Sequence, residues 1–422
     1  MGGATSWGSH RTVTIAAEAR PTTFSPLRNR LFLALWLGSL LANFGNAVQS
    51  VGAAWLLTEL GEPADVVALV QTAASLPIML LALPAGALAD IEDRRRVMLS
   101  AQLAMLLVSV VLAVLAIGHG ATAWSVLGLT LMLGSGVAFF NPALGASIGA
   151  IVPRTELAGA VALNTLAFNV ARTLGPALGG VIVAQRGSSA AFVVNAASYV
   201  AVIGVLLCWR PGAQPRGTTD RMRTAIANGL RFVASSPQVR TIAFRALCFT
   251  TAGSAAWAMM PLVARDMLHG GSAEFGLLLA ALGLGAVLGA LTSTWFRQRF
   301  ASETIIRGAG LLYGIGCIVA ATGPGLWPTL IALVLSGACW VQALSGFGVA
   351  AQLWAPRPLV GRVTAIVSSV TFGGIALGSW IWGHVASDYG VAAAIGGSGA
   401  LMLLSPLIGL WLPMPRHDDA VA

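Results

Sequence analysis

The feature that most constrains this chain is a succession of apolar runs, each long enough to cross a lipid bilayer. A hydrocarbon core about 30 Å thick needs roughly 20 apolar residues per helix. Runs of that kind, bounded by Arg, Asp, Glu, Pro or Gly, lie near 31–56, 64–88, 97–117, 124–151, 157–184, 189–209, 241–263, 273–296, 305–322, 326–350, 362–385 and 391–411. They predict an all-α membrane protein with twelve transmembrane helices. The ninth run is the shortest, and the fourth, interrupted by Asn141-Pro142, is expected to be the least regular. With 57% hydrophobic and 9% charged residues, the chain is far from the composition of a soluble domain.

Residues 1–26 are polar and carry neither a separate apolar core nor a small-residue cleavage site, so no removable signal peptide is expected. The first apolar helix then serves as the insertion signal, which points to a bacterial inner membrane or an equivalent plasma membrane. All 24 basic residues are Arg. With the N-terminus inside, 20 of the 24 fall in cytoplasmic segments, Arg172 and Arg245 lie within helices, and Arg186 and Arg265 are left in outer loops. That asymmetry predicts an N-in, C-in topology. The net charge of +9 therefore reads as topogenic and lipid-facing, with no soluble domain to hold a nucleic acid.

The second constraint is an internal repeat. "GALADIEDRRR" at 86–96 follows the second run, and a degraded copy, "GALTSTWFRQR" at 289–299, follows the eighth, 203 positions later. "GPALGG" at 175–180 pairs with "GIALGS" at 374–379 in the same way. The expected organisation is a cytoplasmic tail (1–26), a six-helix bundle (27–209), a cytoplasmic linker (210–240), a second six-helix bundle (241–411) and a tail (412–422). Two parallel repeats with a site between them at mid-membrane are how alternating-access transporters are built. Within the linker, Met222, Ile226, Leu230 and Val233 fall at helical spacing, which predicts a short amphipathic helix on the membrane surface.

These residues carry a resemblance. "GALADIEDRRR" resembles the loop 2–3 signature of the major facilitator superfamily, and "GPALGG" resembles its helix 5 antiporter motif. The stretches "NVARTLGPALGG", "MMPLVARD" and "GGIALGSWIWGHVA" are similar to the enterobactin-exporter-like, or transmembrane secretion effector, branch, whose members export siderophores, macrolides and metals. The resemblance spans about 24–412 and implies two pseudo-symmetric bundles, export of a small molecule and proton antiport. It also implies that Asp90 latches onto the start of helix 11 near Gly361 and Arg362, where a carboxylate complements the positive end of a helix dipole. Gly86 lets backbones approach, while Arg94, Arg95 and Arg96 are expected to pair with Asp93 or with lipid headgroups. Ile91 stands where the family usually has a basic residue, helix 4 lacks the Arg that often partners the motif, and the second copy has Ser293 in place of the Asp. In helix 5, Gly175-Pro176 permits a bend and Gly179 and Gly180 permit close packing; the resemblance implies a role in occlusion.

Arg172 is the most informative single residue. Counting about 1.5 Å per residue puts it roughly 18 Å deep, close to the midplane, where a permanently charged guanidinium must face a cavity or a partner. One reading has it lining a central cavity with Asn169 and Asn164 and binding an anionic or carbonyl-rich part of the cargo; the other makes it a fixed hydrogen-bond hub. Asn43, Asn46 and Gln49 of helix 1, Gln71, Asn141, Gln342 and Trp257 are further candidates for an amphipathic pocket, although intramembrane amides more often join helices. Arg245, about one turn inside helix 7, is expected to snorkel.

No carboxylate falls in the interior of a predicted span, so proton coupling would have to use rim groups such as Asp90 and Glu59. No catalytic constellation and no phosphate-binding loop with Lys is present, so neither an enzyme nor an ATP-driven pump is expected. Cys208, Cys248, Cys317 and Cys339 read as packing residues, and the scattered histidines suggest no metal cluster. No cofactor is expected; the partners are the cargo, the bilayer and protons, with the chain acting as a monomer. The rival readings are an importer of a small nutrient and a non-transporting membrane sensor on the same fold.

Overall fold

The computed structural model describes residues 24–210, 219–356 and 359–415, and no strand occurs among them. The first six spans are α1 (Arg30–Glu59), α2 (Ala64–Ile91), α3 (Arg94–Ile117), α4 (Ala123–Ile151), α5 (Leu157–Arg186) and α6 (Ser188–Cys208). The linker helix is α7 (Thr219–Ser235). The seventh span, Pro237–Met267, is broken into α8 (Pro237–Gly253), the short turns α9 (Ala255–Ala258) and α10 (Met260–Leu262), and one π-helical turn at Val263–Met267. Then follow α11 (Ser272–Arg299), α12 (Ser302–Ala321), α13 (Leu326–Trp354), α14 (Val360–Tyr389) and α15 (Val391–Trp411). Twelve spans are thus long and apolar enough to cross a membrane, and α12 is the shortest.

Polar side chains set the starts. Asn29 accepts from the amides of Leu31 and Phe32 to open α1, and Asp93 does so from Arg95 and Arg96 to open α3. Thr122 and Ser125 form a capping box at α4, and Ser236 receives the Val239 amide at α8. Gly187 (φ +78°) and Gly390 (φ +88°), again 203 residues apart, turn α5 into α6 and α14 into α15 in a backbone region that L side chains rarely adopt.

Two expectations about regularity are corrected. α4 runs unbroken through Pro142, because a proline inside a span removes a single ladder bond that its packed surroundings can absorb. The break falls in the seventh span, which periodicity had read as one helix. There the Trp257 amide donates to the Ser254 carbonyl in a tightened turn, leaving the carbonyls just before it to other partners. Trp382 Nε1 on α14 donates to Thr251 O (2.9 Å), Ser398 Oγ on α15 to Ala252 O (2.5 Å), and Tyr313 Oη on α12 to Gly253 O (2.5 Å). Three consecutive carbonyls at the break are met by three different helices.

The repeat is visible as packing. A Cβ on Gly175 would lie 2.5 Å from Ala47 Cβ and one on Gly179 3.0 Å from Val51 Cβ, both on α1. At their counterparts 199 positions on, Gly374 and Gly378 of α14, an added Cβ would collide with Thr250 Oγ1 of α8 and with Ser254 Oγ. In each half the fifth helix is thus pressed onto the first through the same two glycines.

Both halves use arginines to cap helix ends on the side that carries α7, the linker end. Arg94 donates to Ala89 O (3.3 Å) and Ala146 O (2.7 Å), and Arg95 to Leu206 O (2.6 Å) and Leu207 O (2.9 Å). Of the three arginines only Arg96 lies near Asp93, at 3.9 Å, so the expected pairing of Arg94 and Arg95 with Asp93 is corrected: the carbonyls at a helix C-terminus offer a better-placed negative dipole end. In the second half, Arg307 donates to Gly409 O (2.8 Å) near the end of α15.

Candidate functional site

A cavity of about 200 Å³ lies between the two halves. α1 contributes Ala47, Ser50 and Val51, α2 Gln71, and α5 Arg172 and Pro176; from the second half come Trp257, Phe275, Trp340 and Phe372. Arg172 sits halfway along α5 and is half-buried. Its guanidinium makes no hydrogen bond or ion pair to any described residue, so the hub reading of the sequence finds no partner. Trp257 Nε1 is likewise buried without an acceptor. Trp257 also stands directly after the break in the seventh span and packs on Trp340, ring centroids 6.2 Å apart. The site thus combines one fixed positive charge, an unused indole donor, an amide and several aromatic faces.

The cavity is roofed at the far end, opposite α7. Trp55 of α1 stacks on Phe275 of α11 with centroids 5.5 Å apart, and Arg265 donates to Thr58 O across the halves at 3.2 Å. Thr72 of α2 donates to Ala376 O of α14 at 3.0 Å, and Gly180 of α5 meets Gly276 of α11 backbone to backbone. Towards the linker end, α7 lies against α14, where a Cβ on Gly229 would be 3.2 Å from Arg362 Cβ. The expected amphipathic helix therefore exists, packed on α14 as well as amphipathic. The side chains of Met222 and Ile226 lie outside the described residues, as does that of Asp90, so the latch to Gly361 and Arg362 is not described.

Among the sequence candidates, Gln71, Arg172, Pro176 and Trp257 come together around the cavity. The others do not line it. Asn46 accepts a hydrogen bond from Tyr199 of α6, and Gln49 reaches Thr130 Oγ1 of α4 at 3.5 Å, inside the first bundle. Gln342 donates to Thr292 Oγ1 of α11 at 3.2 Å, and exposed Asn169 donates to Thr165 O of its own helix at 2.9 Å. Asn43 and Asn164 are half-buried and Asn141 is exposed. Gly86 has room, with Pro142 Cβ 3.9 Å from its would-be Cβ.

Arg245 does not snorkel. It is 4% exposed, pairs through Nη1 with Glu303 at the first turn of α12, and donates to Leu412 O at 3.3 Å. Glu303 also receives Arg307 Nε (2.5 Å) and the Met414 amide (2.7 Å), tying α8, α12 and the segment after α15 into one knot. The seventh span starts at Pro237, which puts Arg245 two turns inside it, and its guanidinium is taken up by groups at the ends of α12 and α15 rather than by water.

Phe275, Trp340 and Phe372 were not singled out by sequence. Their helices are apolar on every side, so no hydrophobic stripe distinguishes a cavity face from a lipid face.

Comparison with known proteins agrees with this architecture. The family model described as transmembrane secretion effector matches residues 21–422. The chain is 29% identical to the multidrug efflux pump Tap of Mycolicibacterium fortuitum, over 94% of this chain and 98% of that protein. It is 30% identical to the enterobactin exporter EntS of Citrobacter koseri, over 62% of this chain and 59% of that one. Among solved structures, a bacterial homologue of the human lysosomal transporter Spinster, in an inward-facing and unoccupied conformation, superimposes with a TM-score of 0.70 at 17% identity, covering 92% of this chain and 96% of that one. The chain is a multi-pass membrane protein with the major facilitator fold, and it belongs to the transmembrane secretion effector family of that superfamily.

Proposed function

We propose that this protein is a secondary transporter of a bacterial plasma membrane, with both termini in the cytoplasm, that exports a small amphipathic organic molecule by alternating access. The observation that carries this reading is the cavity between the halves: it combines charge, amide and aromatic surface at mid-depth and lies beneath contacts between the bundles at the far end. With the termini inside, the roofed end faces outward, and the contacts of α2 with α14 and of α5 with α11 are the surfaces on which the halves rock. The names of the Tap and EntS relatives favour export over import.

The resemblance implies proton antiport. None of the cavity-lining side chains titrates near neutral pH, so a proton route would run through carboxylates at the helix ends, Asp65 and Asp90 of α2 among them.

The test is export from cells lacking their own pumps, with a panel of drugs and siderophores, comparing wild type, Arg172→Ala and Asp90→Asn with and without an uncoupler. Lower intracellular cargo with wild type, lost in Arg172→Ala at equal expression, supports the reading. Cargo accumulation would replace export with import, and no movement of any compound would remove the transport reading.

A further inference from the structure

The second half holds a hollow that is separate from the cavity between the bundles. α11 and α12 are joined by Phe300 and Ala301 alone, and α13 packs against both helices. Between the three lies an apolar groove of about 260 Å³, which shares no lining residue with the central cavity. Small residues make the room: Gly308 of α12 and Ala338 of α13 line it, and a Cβ on Gly308 would meet nothing within 4 Å. Phe296 and Phe300, ring centroids 5.9 Å apart, give it an aromatic side. Leu312 and Leu335 line it from within two spans and are exposed, so the groove opens towards lipid. Its volume exceeds the roughly 150 Å³ of an apolar cavity that takes up benzene.

One polar group sets the chemistry of this lining. Gln342 of α13 is 8% exposed, and its Nε2 donates to Thr292 Oγ1 of α11 at 3.2 Å. The Thr292 hydroxyl spends its own proton on Leu288 O (2.7 Å), so the amide must present its nitrogen to Thr292 and keep Oε1 as its free end. That Oε1 is buried without a partner among the described residues. An unmet acceptor inside a membrane is costly, and an acyl chain lying in the groove brings no donor to meet it. Gln342 also borders a smaller cavity of about 40 Å³ beside Arg297, which is roomy enough for a water as the rival donor. Among the described residues no ionisable side chain lines the groove, so a charged occupant would find no counter-charge there. The internal repeat does not account for the arrangement. Aligning "SGVAFFNPALG" at 135–145 with "SGACWVQALSG" at 336–346 sets Asn141 against Gln342, yet Asn141 is exposed and the counterpart of Thr292 is Ala89, which has no hydroxyl.

We propose that the groove between α11, α12 and α13 is a second ligand site, one that takes an uncharged, membrane-dissolved amphiphile bearing a hydroxyl. The hydroxyl donates to Gln342 Oε1, and the apolar body lies along Phe296, Phe300 and Gly308. Such a molecule supplies the donor that a lipid tail lacks and brings no charge that the groove cannot match. The site stands apart from the cargo cavity, and the inference does not depend on the transport reading.

The experiment uses the full-length protein in phospholipid nanodiscs and the photoreactive alcohol 3-azioctanol, with its methyl ether as a second probe that keeps the body and loses the donor. Saturable labelling by the alcohol is expected at residues 292–312 and 335–342, mapped by mass spectrometry, and excess octanol should displace it. The ether should label about tenfold more weakly, a comparison on wild type that needs no variant. Gln342→Met should bring labelling by the alcohol down to the level of the ether. Gly308→Phe, whose ring fills the groove, should abolish it, each variant first shown to melt like wild type. Asn141→Leu in the first half and Arg172→Ala in the central cavity should label as wild type does. Equal labelling by alcohol and ether, or undiminished labelling of Gln342→Met, would mean that a water serves Oε1 and would overturn the proposal. Labelling that survives Gly308→Phe, labelling lost in Arg172→Ala, or the absence of any saturable label would overturn it as well. The export assay is read separately, so failure of this site leaves the transporter reading standing.

Discussion

Gly180 of α5 and Gly276 of α11 cross with no side chain between them: a Cβ on Gly180 would stand 2.1 Å from the Gly276 Cα. The two belong to different halves and form part of the far-end roof, so the closeness of that contact sets how firmly the roof shuts. Gly180 is also the last residue of the "GPALGG" motif.

Gly180→Val is therefore expected to prop the far end open and to lower export by about tenfold or more, with only a modest loss of stability, because the halves separate rather than the bundle unfolding. Cysteine labelling at Trp55→Cys from the far side reads the opening directly. Gly145→Ala, where an added Cβ meets nothing within 4 Å, is the matched control and should behave as wild type.

Glu303→Gln should be strongly destabilising. It leaves Arg245, 4% exposed, without its ion partner, and loss of one member of a buried pair costs about 3–5 kcal/mol. The double variant Arg245→Met/Glu303→Leu should recover much of that loss by replacing the pair with packing. Arg307→Ala, whose side chain is 32% exposed, should cost about 1 kcal/mol or less. Unfolding titrations in detergent micelles give all three values.

Tyr313→Phe removes the donor to Gly253 O and nothing else of the ring packing. A loss of about 1 kcal/mol is expected. Its more telling mark is local: hydrogen exchange should rise at residues 254–258, around the break, while α1 to α6 keep their protection. Unchanged exchange there would mean that the break is held by packing alone.

Asn46→Leu should leave export intact, because its side chain is engaged by Tyr199 inside the first bundle. A double-mutant cycle with Tyr199→Phe should return a coupling of about 0.6 kcal/mol. A change in cargo preference in Asn46→Leu would instead return that residue to the transport path.

How much of this was legible beforehand follows from what each signal measures. Hydropathy counts residues against membrane thickness, so the twelve spans and the brevity of α12 could be read directly. Motif glycines such as Gly175 and Gly179 were legible because only a missing side chain permits the backbone approach to α1. The depth of Arg172 followed from counting helical rise, and its place in the cavity agrees.

Three-dimensional partnership was not legible. Asn46 and Gln71 look alike in a sequence, two amides in apolar helices, yet one bonds Tyr199 and the other lines the cavity, since direction around a uniformly apolar helix carries no sequence mark. Glu303 lies just outside the predicted run 305–322 and carries no mark in the sequence; its importance comes from Arg245 and Met414, 58 and 111 positions away. The broken seventh span was missed because Ser254 and Pro261 are unremarkable in composition, and the break is made tolerable only by donors from α12, α14 and α15.

Those donors also impose an order on the birth of the molecule. Ser398 follows the carbonyl it satisfies by 146 residues, so at a synthesis rate of about 5–20 residues per second the seventh span waits about 7–30 s for its last partner. During that interval a span with an open polar kink must sit in the membrane, or be sheltered by the insertion machinery, before the remaining helices reach it. Completion of the second bundle is thereby tied to arrival of its final helix, and a nascent chain halted after Tyr389 would present the cell with an incomplete kink as a signal for its removal.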